Sequence, residues 1–227
     1  MDRGTDRSSK RHWGVLAGGL AAVAAALLVL WPGRAEVAGR TAEQRIASIG
    51  LLAERRPAGA ADALAAAARD DPDASVRRAA LVALGRFVGP KARPAVEAGT
   101  QDTDPSVRAA AAGTLGLFAD ADAADRLKAL AADPAEEVRL GAVTGLGRNR
   151  HDRAAAILRE LIDAGDDLKV RQRALMTILR RYGVHTPTPP VPGTEKWRRL
   201  VRMARGPLAS GPAQPASRPA GDKADTP

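Results

Sequence analysis

A short phrase, valine and arginine followed by small and apolar residues, recurs four times along this chain. The phrase begins at Val76, Val107, Val138 and Val170, so successive copies are 31, 31 and 32 residues apart. Self-similarity at a period of roughly 20 to 50 residues indicates stacked supersecondary units, because one such unit cannot bury its apolar face alone. The period therefore predicts a solenoid. Solenoids present extended binding surfaces, but the repeat does not identify the partner.

The spacing of apolar residues within each phrase predicts an α-helix. In the first copy Val76, Ala80, Leu81 and Leu84 fall on one helical face, and the other copies repeat this pattern. An alanine-rich helix is expected before each phrase, so one repeat is a pair of helices, and the fold class is all-α. The first helices are expected at about 60–70, 91–100, 121–132 and 152–163.

A degenerate copy of the phrase precedes the four clear ones. Arg45, Ile49 and Leu52 align with the first full copy at an offset of 32 residues. Terminal repeats of a solenoid are atypical because one side faces solvent. This segment is therefore expected to be an N-terminal capping helix.

Aspartates before the phrases indicate where the second helices begin. Asp73, Asp104 and Asp167 lie three residues before the valine, where a carboxylate can accept backbone N–H bonds as an N-cap. The third copy has Ala135 at this position. Asp133, which is followed by Pro134, is therefore expected to cap that helix and to start it two residues earlier.

The pattern Asp-x-x-Val-Arg-x-x-Ala-x-x-x-Leu-Gly resembles bacterial HEAT repeats of the phycobilisome-lyase-like kind, over about residues 41–183. The resemblance implies a short right-handed α-solenoid in which the second helices line the concave face. It also implies a ladder of aspartates and arginines between successive repeats, which we interpret as a structural device and not as an anion site. The ladder residues would be Asp73, Arg77, Asp104, Arg108, Arg139, Asp167 and Arg171.

Residues 13–31 contain no charged side chain and predict a single transmembrane helix. At about 1.5 Å per residue this segment is about 28 Å long, close to the hydrocarbon thickness of a bilayer. Trp13 and Trp31 lie at its ends, where indole rings favour the interface. The alternative is a cleaved signal peptide, although its apolar region would be unusually long.

The charges around this segment predict its orientation. Residues 1–12 form a basic tail, which favours the cytoplasmic side. The solenoid would then lie outside the cytoplasm, periplasmic or extracellular, joined to the cytoplasmic membrane through a linker at 32–40. Small residues recur every four positions in the span, at Gly14, Gly18, Ala22 and Ala26, and such a stripe can pack two transmembrane helices into a homodimer.

The segment after the solenoid has three parts. Residues 184–194 are rich in proline and predict a stiff, extended linker. Residues 195–205 predict a short basic amphipathic helix, which would either cap the open end of the solenoid or lie on an anionic membrane. We favour the cap. Residues 206–227 have the composition of a disordered tail.

The distribution of charge argues against nucleic acid as a partner. The formal net charge is +9, but residues 41–182 contribute only +2, and the two ends contribute +3 and +4. A nucleic-acid groove needs several cations along one face to neutralise phosphates. The solenoid itself is nearly balanced, so its partner is expected to be a protein.

The sequence has no recognisable catalytic or metal-binding pattern. Cysteine is absent, and His12, His151 and His185 are far apart, with no ligand partner at helical spacing. Aspartate clusters such as Asp70-Asp71-Asp73 suit turns and helix caps better than a cation site. The chain is therefore predicted to bind no cofactor or metal and not to be an enzyme. An enzyme or enzyme subunit of the HEAT type, lyase-like or hydroxylase-like, is the alternative.

These observations together predict a membrane-tethered scaffold for protein–protein interaction. Its partner would be another protein of the cell envelope, bound on the concave face. The predicted contact positions are Arg78, Val82, Arg86, Ala109, Gly113, Leu117, Leu140, Thr144, Arg148, Gln172, Met176 and Arg180.

Overall fold

The computed structural model describes residues 41–164, 167–181, 183–186 and 188–206. All regular structure in these residues is α-helical, so the all-α prediction is confirmed. The helices are α1 (Ala42–Arg55), α2 (Ala60–Asp70), α3 (Ala74–Leu84), α4 (Arg93–Gly99), α5 (Pro105–Leu115), α6 (Ala121–Leu130), α7 (Glu136–Arg148), α8 (Asp152–Ala164), α9 (Leu168–Arg181) and α10 (Glu195–Arg205).

The predicted transmembrane segment 13–31 lies outside the described residues, as do the tail 1–12, the linker 32–40 and residues 207–227. The small-residue stripe within 13–31 lies outside them as well. Among the helices that the structure does describe, none has the length and apolar character needed to cross a bilayer.

The helices form two stacked rows. The second helix of each repeat packs on the next, so that α1, α3, α5, α7 and α9 form one continuous row, and α2, α4, α6 and α8 lie beside it. The first helices begin and end within two residues of the predicted ranges. The predicted apolar face is the core, since all four of its positions in each copy are almost fully buried, as Val76 and Leu84 illustrate.

Three of the four predicted caps hold, at Asp73, Asp104 and Asp167, and the one at Asp133 does not. Asp73 accepts an N–H bond from Ser75 at the start of α3, and Asp104 does the same for Ser106 at the start of α5. The expectation that Asp133 starts α7 early was wrong. That helix begins at Glu136 without a side-chain cap, because the Asp133 carboxylate accepts two nitrogens of Arg108 and the backbone N–H of Ala135.

The rows are packed most tightly between α5 and α7. A Cβ atom on Gly116 would lie 2.1 Å from the Gly145 carbonyl oxygen, and one on Gly145 would lie 2.4 Å from the Ala112 carbonyl oxygen. The two backbones therefore touch directly, which only glycine permits. The preceding helices α4 and α6 make no such backbone contact. At this junction the helices approach more closely on the second-helix side, which is the side that the resemblance predicts to be concave.

Helix α10 packs against the C-terminal end of the solenoid. It contacts α8 and α9 and buries Trp197, Leu200, Val201 and Ala204. Arg159 of α8 donates a hydrogen bond of 3.0 Å from Nε to the carbonyl oxygen of Ala204. The apolar face of α10 therefore covers the end of the solenoid and is not available to a membrane.

The proline-rich segment after α9 folds back on that helix. Gln172 Nε2 donates to the Pro190 carbonyl oxygen at 3.3 Å, and the Thr186 hydroxyl lies 2.9 Å from the sulfur of Met176. Pro190 is buried. The sequence predicted a stiff, extended linker here, and the structure adds that these contacts hold the segment against the end of the concave face.

Candidate interaction face

Ion pairs link each repeat to the next along one edge of the solenoid. In each pair two nitrogens of an arginine contact the carboxylate of an aspartate 25 to 28 residues later, at distances between 2.6 and 3.0 Å. We call this set the ladder. Its four rungs are Arg45–Asp71, Arg77–Asp102, Arg108–Asp133 and Arg139–Asp167.

One guanidinium joins the turns of two successive repeats. Arg77 donates from Nε and Nη2 to Asp102, and from Nη1 to the carbonyl oxygens of Asp71 and Pro72 in its own repeat. The Asp102 carboxylate also accepts the backbone N–H of Asp104. The Arg77 guanidinium therefore holds the pKa of Asp102 below its usual value. Such charge-assisted bidentate bonds fix the spacing of repeats as well as their register.

The structure changes which aspartates belong to the predicted ladder. Asp73 and Asp104 cap α3 and α5, and bonds from Ser75 and Ser106 lower the pKa of the two carboxyl groups. The carboxylates that accept the arginines lie two residues earlier, at positions 71 and 102. The missed signal is a second aspartate series with the repeat period, at 71, 102 and 133.

The last repeat differs from the others in the roles of its aspartate and its arginine. Asp167 combines the two roles, since it accepts the N–H groups of Lys169 and Val170 and also pairs with Arg139. Arg171 was predicted to be a ladder residue, but it makes no rung. It donates to the Ile162 carbonyl oxygen at 3.0 Å, and its guanidinium carbon lies 5.7 Å from the centre of the Trp197 ring.

The predicted contact positions on α3 and α5 line a groove near the N-terminal end of the concave face, which we call the N-terminal groove. It has a volume of about 790 Å³ and includes Arg78, Val82, Arg86 and Ala109 from the predicted set. Val82 is 62% exposed. The adjacent α1 supplies aliphatic and small side chains to the same groove, which sequence reasoning did not include in the set.

The positions on α7 and α9 line a second groove, which we call the C-terminal groove. Its volume is about 610 Å³, and it includes Thr144, Arg148, Met176 and Arg180 from the predicted set. The structure adds further residues that the repeat register did not single out. They are Gly147, Arg173, Thr177, Arg181 and Pro189.

Several predicted contact positions serve packing instead. Leu140 packs against the core. Leu117 fills the space at Gly85, where an added Cβ would meet its Cδ1 at 3.0 Å. Gly113 accepts a hydrogen bond of 2.9 Å from Arg148 through its carbonyl oxygen. Gln172 and Met176 are half-buried beside the returning proline-rich segment, so each exposes only part of the surface that the sequence predicted.

Comparison with known proteins identifies the repeat. A family model described as HEAT repeats matches residues 37–104 and 94–178. No curated protein sequence matches the chain. Among solved structures, the chain is similar to the complex of CpcE and CpcF of phycocyanin lyase from Nostoc sp. PCC7120. That match has 22% identity and a TM-score of 0.41, and it covers 64% of this chain and 74% of the other.

The prediction excluded an enzyme, and this exclusion was wrong. The similarity to the phycocyanin lyase complex is the finding that overturns it. A missing catalytic motif does not by itself exclude an enzyme-related role. At this identity the similarity concerns the fold alone. It assigns no reaction, substrate or catalytic residue to this chain.

Proposed function

The chain belongs to the HEAT-repeat family, and on that basis we propose that it is a scaffold that binds a partner protein on the concave face of its solenoid. The observation that carries this proposal is the pair of grooves on the second-helix row, one at each end of the α5–α7 contact. Both grooves lie on rigid helices, and the ladder holds those helices in register. A preorganised face loses little conformational freedom when a partner binds.

The N-terminal groove supplies the apolar contact that a protein interface needs. Val82 projects from α3 with most of its side chain in solvent, although the other apolar residues of its helix are largely buried. The groove walls around it are built from small and aliphatic residues of α1, α3 and α5. A partner side chain could therefore approach the helix backbones closely, which favours shape complementarity at the centre of an interface.

We further propose that the solenoid is tethered to the cytoplasmic membrane through residues 13–31. The support is the uncharged segment with tryptophan at both ends, and the basic tail 1–12, which favours a cytoplasmic N-terminus. The solenoid would then be periplasmic or extracellular, and the partner would be a protein of the cell envelope. The small-residue stripe in the segment supports a homodimer.

Photo-crosslinking in living cells tests the interaction proposal. A photoreactive amino acid replaces Val82 in the N-terminal groove, and in a matched variant it replaces Ala98, which is exposed on α4 on the other side of the solenoid. We expect a discrete crosslinked protein from Val82 and none of that size from Ala98. Equal crosslinking at the two positions, or none at Val82 in cells that naturally express the chain, would contradict the proposal.

Proximity labelling tests the tether and its orientation. A labelling enzyme fused to the C-terminus should modify a defined set of envelope proteins. Deleting residues 13–31 should abolish that set. A cytoplasmic set from the full chain would overturn the proposed orientation.

A further inference from the structure

The C-terminal groove collects four arginines on one short stretch of the concave face. Arg148 comes from α7, and Arg173, Arg180 and Arg181 come from α9. No aspartate or glutamate lines the groove among the residues that the structure describes. Four positive charges therefore face a space of about 610 Å³ without a carboxylate in its walls.

Two of these arginines, Arg173 and Arg180, differ from the arginines of the ladder, each of which is matched by an acid. Arg45, Arg77, Arg108 and Arg139 each have a carboxylate in the ladder. Within the described part of the chain, Arg180 forms no ion pair, nor does Arg173. Like charges that share a cleft repel one another, and a cleft lined by one sign of charge attracts the opposite sign from solution.

The helix dipole explains only part of the cluster. Arg148, Arg180 and Arg181 lie in the last turns of their helices, where a cation is favoured. Arg173 lies in the first half of α9, where the dipole gives it no such preference. The dipole also does not require the four side chains to face one groove. Arg148 lines the groove while its Nη1 donates a bond of 2.9 Å to the Gly113 carbonyl oxygen of α5.

The remaining walls of the groove are largely uncharged. Met176 and Pro189 supply apolar surface, and Thr144 and Thr177 supply hydroxyl groups. The positive charge does not continue along the whole concave face. The N-terminal groove is lined mainly by aliphatic and small residues, and its two arginines, Arg78 and Arg86, share it with Glu137. A nucleic-acid backbone would need a continuous track of cations, whereas a short acidic peptide would not.

We infer that the C-terminal groove binds an acidic segment of the partner protein, in which carboxylates alternate with apolar side chains. The carboxylates pair with the guanidinium groups, whose planar fork suits bidentate recognition. The apolar side chains pack on Met176 and Pro189. This inference rests on the proposed function, because it assigns a chemical character to one part of the same face.

Binding of a synthetic peptide to the full-length chain in mild detergent tests the inference. The probe is a fluorescein-labelled peptide in which pairs of glutamates alternate with single leucines, and its affinity is read by fluorescence anisotropy. The test variant carries Arg173→Gln and Arg180→Gln. The matched control carries Arg55→Gln and Arg69→Gln, which remove the same charge from two exposed positions that line neither groove. All four side chains are exposed, so circular dichroism should show intact folding.

We expect the test variant to bind the peptide about tenfold more weakly or worse, and the control within about twofold of the unmodified chain. Equal losses in the two variants would overturn the inference, because net charge alone would then explain binding. If a single-stranded oligonucleotide of the same charge binds more tightly than the peptide, the inference that the ligand is a protein segment is wrong. If the peptide does not bind but the crosslink at Val82 is retained, the inference is wrong and the proposed function stands. If the peptide does not bind and the crosslink at Val82 is also absent, the inference and the proposed function are both wrong.

Discussion

Replacing Gly145 by alanine adds one methyl group at the closest contact of the solenoid. The new Cβ would lie 2.4 Å from the Ala112 carbonyl oxygen and 2.7 Å from Leu127 Cδ2. The obstacle is backbone, which cannot rotate away as a flexible side chain can. Helices α5 and α7 would have to separate by about 1 Å to restore ordinary van der Waals contact. That separation would also disturb the curvature of the concave face.

Gly50 provides the matched control for this substitution. It lies in the interior of α1, as Gly145 lies in the interior of α7, and a Cβ added there meets nothing within 4 Å. Alanine is better than glycine in a helix interior by about 0.8–1 kcal/mol. Gly50→Ala should therefore stabilise the fold by about that amount, because nothing opposes the gain in helix propensity.

At Gly145 the same gain is opposed by overpacking. Inserting a methyl group into a tight contact costs typically about 1–3 kcal/mol, and a backbone obstacle favours the upper part of that range. The expected net loss in the free energy of unfolding is about 1–2 kcal/mol. For a domain of this size, about 1 kcal/mol shifts Tm by roughly 2–4 °C. Thermal unfolding followed by circular dichroism should thus show a lower Tm for Gly145→Ala and a higher Tm for Gly50→Ala. A rise in both variants would refute the close packing of α5 and α7.

Three further predictions concern the ladder and the C-terminal end. Asp102→Asn should destabilise the fold by about 1–3 kcal/mol in denaturant unfolding, because it leaves the guanidinium of Arg77, with only 14% of its side chain exposed, without its carboxylate. Asp62→Asn, which removes a solvent-exposed pair with Lys91, should cost under about 1 kcal/mol. The pKa of Asp102 is lowered in the folded state, so the stability contributed by its rung should be fully present above about pH 5 and should fall as the solution is acidified below about pH 4. The Asp102→Asn variant should lose less stability than the unmodified chain as the pH is lowered. An equal loss in the two proteins would contradict the assignment of this pH dependence to the Asp102 rung. Trp197→Ala should cost about 3–5 kcal/mol at the docked α10 and should release that helix to limited proteolysis before the rest of the solenoid unfolds. Protection equal to that of the unmodified chain would show that Trp197 does not hold α10 in place.

The fold could be predicted from the sequence because its determinants are local and repeated. Val76 and its equivalents recur with a nearly constant period, and each begins the same pattern of apolar positions. Helical geometry alone then defines the buried face, and the structure buries all of these positions. The caps at Asp73 and Asp104 could be predicted for the same reason, since a cap and the N–H groups that it accepts lie within three residues of each other.

The candidate site depended on contacts that no local pattern reveals. The ladder was expected, but its carboxylates were placed at Asp73 instead of Asp71, because the partner arginine is supplied by another repeat. Both aspartates follow the same period, so only the direction of the side chains in the folded turn distinguishes the cap from the rung. Arg173 likewise lines the C-terminal groove only because of the way in which α7 and α9 pack against each other.

The sequence by itself therefore determined the repeat, the helix boundaries to within about two residues and the core of this protein, since these follow from periodicity and from hydrogen bonds within a few residues. The tertiary structure alone decided which carboxylate meets which arginine and how closely α5 approaches α7. It also decided that the segment after α9 returns over Gln172 and Met176. These features join residues far apart in the chain, and their free energy depends on distances that exist only once the helices are stacked.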